Sequence, residues 1–185
     1  MPARPVASRR RAATPAAAID APAAAPALPA LVQVKLWENP CGFSFRINFL
    51  ALNFNLPVYG WIQQRYRLMR PEYVVLYSLH LRDGSSAQEV CESGGFPKNT
   101  LSRAIQKLLA RRIVSRSRSA DDRRRYVLRL TARGREILEQ TVPLMVQREQ
   151  TMLAGLNAAE RRQLSQLLAR LVSDFPRWPT RLQAA

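Results

Sequence analysis

Residues 97–111 read PKNTLSRAIQKLLAR, a stretch whose two sides have opposite chemistry. Leu101, Ile105 and Leu108 recur at the spacing that places side chains on one face of an α-helix. The other side and its flanks carry side chains that can bond to base edges and phosphates: Lys98, Asn99, Thr100, Ser102, Arg103, Gln106 and Lys107. A merely solvated helix face has the same periodicity but normally mixes acids with its bases, and residues 97–120 contain no acid.

The segments around this helix predict a helix–turn–helix followed by a wing. Before it, Ser85 or Ser86 can cap a short helix with the sequence AQEVCES, and Gly94 and Gly95 interrupt the chain. Behind it, residues 112–130 contain two β-type segments, IVSRS and YVLRL, separated by a charged turn. This order predicts a winged helix–turn–helix, an arrangement that places its second helix in the major groove of DNA.

The charged turn lies within residues 119–131, SADDRRRYVLRLT, and has three interpretations. It is a solvated loop, a surface for an acidic partner, or a contact with the phosphates of a nucleic acid. On the last interpretation Arg116, Arg123 and Arg124 belong to the DNA-binding surface, with Arg124 at the hairpin tip entering the minor groove. We expect Asp122 to hold the turn in shape by pairing with Arg116 or Arg124.

Helical patterns flank the winged region on both sides. Apolar residues at three- and four-residue spacing predict a helix within residues 41–70, with Pro57 kinking or splitting it. Thr131 is expected to cap a long helix that contains Pro143, and Asn157 to begin the last one. The fold class is therefore mainly α with a small β-wing. We divide the chain into a disordered Ala/Pro-rich tail (1–30), an N-terminal dimerisation region (31–70), the winged helix–turn–helix domain (71–131) and C-terminal dimerisation helices (132–185).

Charge and composition narrow the function. The 29 Lys and Arg residues exceed the 13 Asp and Glu residues, which gives a formal charge of +16 and favours a polyanionic partner. Two cysteines without a CxxC pattern, and one histidine, predict neither a metal site nor a catalytic constellation. The sequence contains neither a phosphate-binding loop nor a membrane-spanning stretch. We expect a cytoplasmic protein that is not an enzyme, needs no cofactor and does not bind membranes.

Residues 71–134 resemble the winged helix–turn–helix domain of the MarR family of bacterial transcriptional regulators. The matching stretches are PEYVVLYSLHL, SAQEV, PKNTLSRAIQKLLARRIVSR and DDRRRYVLRLTARG. The resemblance implies a homodimer on double-stranded DNA with a pseudo-palindromic operator. The family usually has Gly after the recognition helix, where a left-handed residue ends it, and Arg112 stands there in this chain.

The resemblance also raises the question of a signal, since similar proteins commonly respond to small aromatic acids or to oxidants. Aromatic residues at helical spacing often only pack in a core. The candidates for lining a ligand cavity are Tyr59, Trp61, Tyr73, Tyr77 and His80. Cys41 follows Asn39 and Pro40 at a predicted helix start, where amide dipoles favour a thiolate. Its place resembles that of the peroxide-sensing cysteine in the organic-hydroperoxide branch of the family. It is either a redox sensor or an inert residue, whereas Cys91 is expected in the core.

The sequence thus predicts a dimeric, sequence-specific DNA-binding regulator, and a repressor relieved by a small aromatic ligand is the leading hypothesis. A redox-sensing regulator and a non-specific architectural DNA-binding protein are the alternatives, the latter because the charge alone would suffice for it. A winged helix used only for protein contacts is a further class.

Overall fold

The structure, a computed structural model, describes residues 28–119, 122, 124–179 and 181. It has seven α-helices and one hairpin in the described ranges: α1 (Ala30–Gln33), followed by a π-helical turn (Val34–Glu38), α2 (Gly42–Tyr66), α3 (Arg70–Leu81), α4 (Ala87–Ser93), α5 (Lys98–Ala110), β1 (Val114–Arg118), β2 (Tyr126–Leu130), α6 (Ala132–Met152) and α7 (Ala158–Asp174), which ends in a 3-10 turn (Phe175–Arg177). A mainly helical chain with a two-stranded wing was the sequence-based expectation, and it is confirmed. No helix of the described ranges is both long and apolar enough to cross a membrane.

The described residues divide into two compact units, one ending at Asn53 and the other beginning at Phe54. In the first unit, Leu36 of the π-helical turn has a buried side chain, and the Arg46 side chain donates to the Leu36 carbonyl oxygen at 2.8 Å. The second unit contains α3 to α7 and the hairpin. The predicted tail lies almost wholly outside the described residues, and the fourfold division of the chain stays a prediction.

The core of the second unit is built on the apolar face of α5. Leu101 and Leu108 are fully buried and Ile105 nearly so, as the helical spacing predicts. They share one apolar cluster with Leu76 of α3 and Leu138 of α6. Burial of a large aliphatic side chain contributes about 1.5–3 kcal/mol to folding. This cluster therefore holds α5 against α3 and α6.

The wing is an antiparallel hairpin with a third segment bonded to its inner strand. Strands β1 and β2 pair from Val114 opposite Leu130 to Arg118 opposite Tyr126. The Gly84 amide donates to the Leu128 carbonyl oxygen at 3.0 Å, and the Leu128 amide donates to the Ser85 carbonyl oxygen at 2.9 Å. Gly84 reaches this position with a φ of 83°, a conformation that glycine adopts without strain. The loop between α3 and α4 therefore holds the wing in place.

Several predicted helix boundaries are confirmed by their caps. Ser86 accepts from the Glu89 amide, Thr131 accepts from the Gly134 amide, and Asn157 forms a capping box with Glu160. Of the two alternatives for Pro57, a split helix is wrong, because residues on both sides of Pro57 belong to α2, and a kink stays a prediction. A single missing amide removes one helical hydrogen bond and leaves the neighbouring bonds intact.

The resemblance to the MarR family predicts a left-handed residue directly after α5, and Arg112 has this conformation. Its φ is 53°, its amide donates to the Leu109 carbonyl oxygen and the Ile113 amide donates to that of Leu108, each at 3.0 Å. These two bonds are those of a Schellman motif, in which glycine is the usual left-handed residue. Helix α5 therefore ends in the form that a left-handed glycine usually provides, with Arg112 in the place of the glycine.

Candidate nucleic-acid interface

The polar stripe of α5 lies on the surface of the second unit. Asn99, Ser102, Arg103 and Gln106 are exposed, whereas Leu101, Ala104, Ile105 and Leu108 on the opposite side are buried. Lys98 at the helix start is exposed and Thr100 is half-buried. The structure thus brings donors and acceptors for base edges onto one accessible helix face.

The far end of α5 is anchored by a buried acid. Glu72 of α3 is 5% exposed, and its Oε1 lies 3.5 Å from the Nζ of Lys107. Arg111 approaches the same carboxylate at 4.0 Å and donates to the carbonyl oxygens of Tyr66 and Arg67 at 2.8 and 2.9 Å. Lys107, predicted as a DNA contact, therefore lies beside Glu72, with 65% of its side chain exposed. Arg111 and Glu72 are positioning residues that the sequence pattern did not reveal.

The wing carries a stack of two arginines on one tyrosine. The guanidinium of Arg116 lies 4.2 Å from the centre of the Tyr126 ring, and that of Arg118 lies 5.5 Å from it. Arg116 was predicted at this surface, but Arg118 and Tyr126 were missed. Strand alternation is a signal that finds them, since residues two apart in a strand share a face and Arg118 is opposite Tyr126 in the register.

Asp122 shapes the wing turn through the backbone. Its Oδ1 accepts from the Arg124 amide at 2.9 Å, and its carbonyl oxygen accepts from the Arg125 amide at 2.9 Å. The expected ion pair with the side chain of Arg116 or Arg124 is not formed among these described residues. The short side chain of an aspartate in a turn reaches the backbone amide two residues ahead more readily than it reaches a distant guanidinium group. Arg124 is exposed in the turn, and Arg123 lies outside the described residues.

The predicted ligand residues do not share one cavity. Tyr59 and Tyr77 line a cavity of about 390 Å³, together with the apolar residues Val74 and Leu81 and the charged residues Arg82 and Glu89. Trp61 lines a separate cavity of about 280 Å³ between α2 and α6. His80 is exposed and lies beside Tyr77, with 6.0 Å between the ring centres.

Tyr73 is a core residue that connects the regions of the two cavities. It is fully buried, its hydroxyl donates to the Thr141 Oγ1 at 2.7 Å, and its ring lies 6.0 Å from that of Tyr59. Burial raises the pKa of Tyr73 to about 12, so the hydroxyl stays protonated and available as a donor at neutral pH.

The two cysteines differ in their surroundings. Cys41 is exposed immediately before α2, and its amide donates to the Asn39 Oδ1 at 2.8 Å. Cys91 is half-buried in α4, where burial raises the pKa of its thiol. Reactivity of Cys41 stays a prediction. Among the described residues, no three His, Cys, Asp or Glu side chains come together as metal ligands.

A helix–turn–helix with a basic wing and an acid-free recognition face defines a DNA-binding transcriptional regulator. A family model described as transcriptional regulator SarA/Rot matches residues 57–141. The HTH-type transcriptional repressor NicR of Pseudomonas putida is 28% identical over 103 residues, which are 56% of this chain and 65% of NicR.

Solved structures agree with this class. A MarR/EmrR family transcriptional regulator from Acinetobacter sp. ADP1 superposes with a TM-score of 0.65 at 25% identity, covering 74% of this chain and 96% of that one. Bordetella bronchiseptica BpsR, whose DNA binding is regulated by 6-hydroxynicotinic acid, superposes with a TM-score of 0.53 at 28% identity, covering 69% and 98%. The chain therefore resembles MarR-family winged helix–turn–helix transcriptional regulators in fold and, over the matched residues, in sequence.

Proposed function

We propose that the protein is a homodimeric repressor that binds a pseudo-palindromic site in double-stranded DNA and leaves it when a small aromatic ligand binds. The observation that carries the proposal is the exposed, acid-free stripe of α5 beside an arginine-rich wing. On this proposal residues 71–131 are the DNA-binding part, and the protein works in the cytoplasm, where bacterial DNA lies. The similarity to the repressor NicR supports the direction of regulation.

The two parts of the interface have different roles in this proposal. Arg103 and Gln106, exposed near the middle of α5, read base edges in the major groove, since arginine and glutamine form paired hydrogen bonds with guanine and adenine. Arg116 and Arg124 of the wing contact the adjacent minor groove and phosphates. Lys98 and Asn99 lie at the start of α5, where helix amides already favour phosphate.

Arg103→Ala is expected to weaken binding to the selected site by about 1–3 kcal/mol, because it removes a charged donor to one base pair. Selection of sites from random DNA first supplies the duplex, and fluorescence anisotropy then measures the dissociation constant. Arg124→Ala is expected to weaken binding as well, through loss of the minor-groove contact. The matched control is Arg170→Ala, which removes the same charge from the exposed surface of α7.

Two results would refute the assignment of this surface. In one, Arg103→Ala and Arg124→Ala both bind the selected duplex as tightly as the unaltered protein. In the other, selection yields no enriched palindrome while binding persists, which identifies a non-specific architectural protein instead.

The proposed dimer rests on exposed apolar residues at the end of the chain. No residue of α7 is buried, although the helix and the turn after it carry several large apolar side chains, which are between 37% and 72% exposed: Leu164, Leu167, Leu168, Leu171, Val172, Phe175 and Trp178. A contiguous apolar surface of this kind marks an interaction site, and a second copy of the chain is the usual partner in soluble homo-oligomers.

Leu168→Glu is expected to convert the dimer into a folded monomer, because a carboxylate would have to be buried in the interface without a partner. Leu168 is 41% exposed in the single chain, so its replacement leaves the core intact. Light scattering after gel filtration measures the mass, and Gln166→Glu on the opposite side of α7 is the matched control. A monomeric unaltered protein, or a dimeric Leu168→Glu variant, would contradict the proposal.

The cavity lined by Tyr59 and Tyr77 is the proposed site of the aromatic ligand. Its volume of about 390 Å³ suits a small molecule, and the rings of Tyr59 and Tyr77 in its wall suit an aromatic one. The regulation of BpsR by 6-hydroxynicotinic acid supports this ligand class.

6-Hydroxynicotinic acid is the probe for this site and is expected to weaken binding of the selected duplex, measured by anisotropy. Tyr77→Ala is expected to remove this effect because it removes a wall of the cavity while leaving the DNA-binding stripe unchanged. Trp61→Ala alters the other cavity and is the control. An equal response of the Tyr77→Ala variant and the unaltered protein would exclude this cavity as the site.

A further inference from the structure

Glu89 of α4 lies between two arginines that come from other elements. Its Oε1 is 3.8 Å from the Nη1 of Arg82, which follows α3, and its Oε2 is 3.7 Å from the Nη2 of Arg125, which precedes β2. One carboxylate therefore connects the end of α3, the first helix of the helix–turn–helix and the turn end of the wing.

The carboxylate is held in this position by a local cap. The Ser86 amide donates to the Glu89 Oε2 at 2.7 Å, and the Glu89 amide donates to the Ser86 Oγ at 3.2 Å. The Ser86 amide and hydroxyl, with Arg82 and Arg125 as further contributors, hold the pKa of Glu89 below its ordinary value. Glu89 is therefore charged at neutral pH.

The other described acids of the winged region have different neighbours. Glu72 is buried beside Lys107, Asp83 accepts from the Leu130 amide and faces Arg129, and Glu92 accepts from Gln88. Asp122 closes the wing turn. Glu89 is the acid whose two cationic neighbours are themselves largely exposed.

The exposure of those neighbours matters for DNA binding. The side chains of Arg82 and Arg125 are 78% and 59% exposed. Long, exposed arginines bind phosphate without regard to sequence, and each phosphate that is neutralised contributes about 0.9 to the salt dependence of binding. An adjacent fixed carboxylate competes with phosphate for them and repels the DNA backbone at close range.

We propose that Glu89 is a specificity-determining residue of the DNA interface. Its carboxylate pairs with Arg82 and Arg125 and so weakens their binding to phosphates of any DNA sequence. Binding to the operator is weakened less, because the base contacts of α5 also contribute to that affinity. It also holds the turn end of the wing relative to the helix–turn–helix through Arg125. This inference rests on the proposed function, in which α5 reads bases and the wing contacts DNA.

Glu89→Gln tests the charge while keeping the cap, since glutamine serves equally well at this position of a capping box. Anisotropy titrations across a series of KCl concentrations compare the selected duplex with a mixed-sequence duplex. The variant is expected to bind the mixed-sequence duplex several-fold more tightly at low salt, with a salt slope steeper by about 1–2. Its affinity for the selected duplex is expected to change less, so the ratio of the two affinities falls.

Glu92→Gln is the matched control, because it removes the same charge from the same helix at a residue that contacts Gln88. If Glu92→Gln raises non-specific binding as much as Glu89→Gln, net charge explains the effect and the inference is overturned. An unchanged affinity ratio in Glu89→Gln, with the unaltered protein still selecting a site, overturns this inference alone. A folded unaltered protein that binds no duplex overturns the proposed function and the inference with it.

Discussion

Gly134→Ala is expected to lower the free energy of unfolding by about 2–3 kcal/mol, the cost of forcing an extra methyl group into a packed region. A Cβ atom at Gly134 would lie 2.5 Å from the Ile113 carbonyl oxygen and 3.2 Å from the Leu130 Cδ2. The carbonyl oxygen cannot easily move, because it accepts from the Thr131 amide at 3.2 Å and from the Thr131 hydroxyl at 2.9 Å. The start of α6 and the beginning of the wing would have to separate.

Gly60→Ala is the matched control for that variant. Gly60 also lies within a helix, α2, but apart from the adjacent residues and the nearby backbone of that helix no atom stands within 4 Å of the position of its Cβ. Alanine is the better helix former by about 1 kcal/mol, so this substitution is expected to stabilise the protein. Urea unfolding followed by circular dichroism measures both variants. Opposite signs are expected, and a Gly134→Ala variant as stable as the unaltered protein would show that α6 and the wing can separate without cost.

Local signals explain which parts of the fold could be predicted. Ser86, Thr131 and Asn157 cap their helices through amides two or three residues away, and such contacts depend on neighbouring sequence alone. The buried face of α5 follows from residue spacing in the same way. The helix pattern, the wing and the exposed stripe of α5 were therefore accessible from the sequence.

Contacts between distant segments were not accessible in this way. Glu72 meets Lys107, and Tyr73 meets Thr141, 68 residues further along the chain. No local pattern marks these pairs, because each is created by the packing of helices that the sequence specifies separately. The expected ion pair of Asp122 with the side chain of Arg116 or Arg124 is not formed among the described residues for the opposite reason, since the Arg124 amide is the closer partner.

The ligand residues show the same limit. Tyr59 and Trp61 are two residues apart in α2, yet Trp61 lines one cavity, whereas Tyr59 lines the other together with Tyr77 of α3. Aromatic composition predicts that such residues are largely buried, whereas the cavity that each one lines depends on how α3 and α6 pack. The chemistry of the DNA-binding stripe was easier to predict because it depends on one helix.

The second large effect is expected at the turn of the helix–turn–helix, where Gly94 meets Leu101. A Cβ atom at Gly94 would lie 2.4 Å from the Leu101 Cδ1, and the Leu101 side chain is fully buried. Gly94→Ala alone is expected to cost about 1–3 kcal/mol through overpacking. Leu101→Ala alone is expected to cost about 2–5 kcal/mol through the cavity it leaves.

The double variant is expected to be more stable than the sum of the two costs predicts, by about 1–2 kcal/mol, because the methyl group at position 94 enters space that the leucine vacates. The gain stays partial, since the same methyl group would also lie 3.1 Å from the Val90 carbonyl oxygen. Urea unfolding of all four proteins measures the coupling, and Gly94→Ala combined with Leu138→Ala is the control, expected to be additive. Strict additivity at Gly94 and Leu101 would mean that the clash is relieved by movement of α4 rather than of the leucine. The turn that aims the recognition helix would then be adjustable, whereas strong coupling means that Leu101 fixes it.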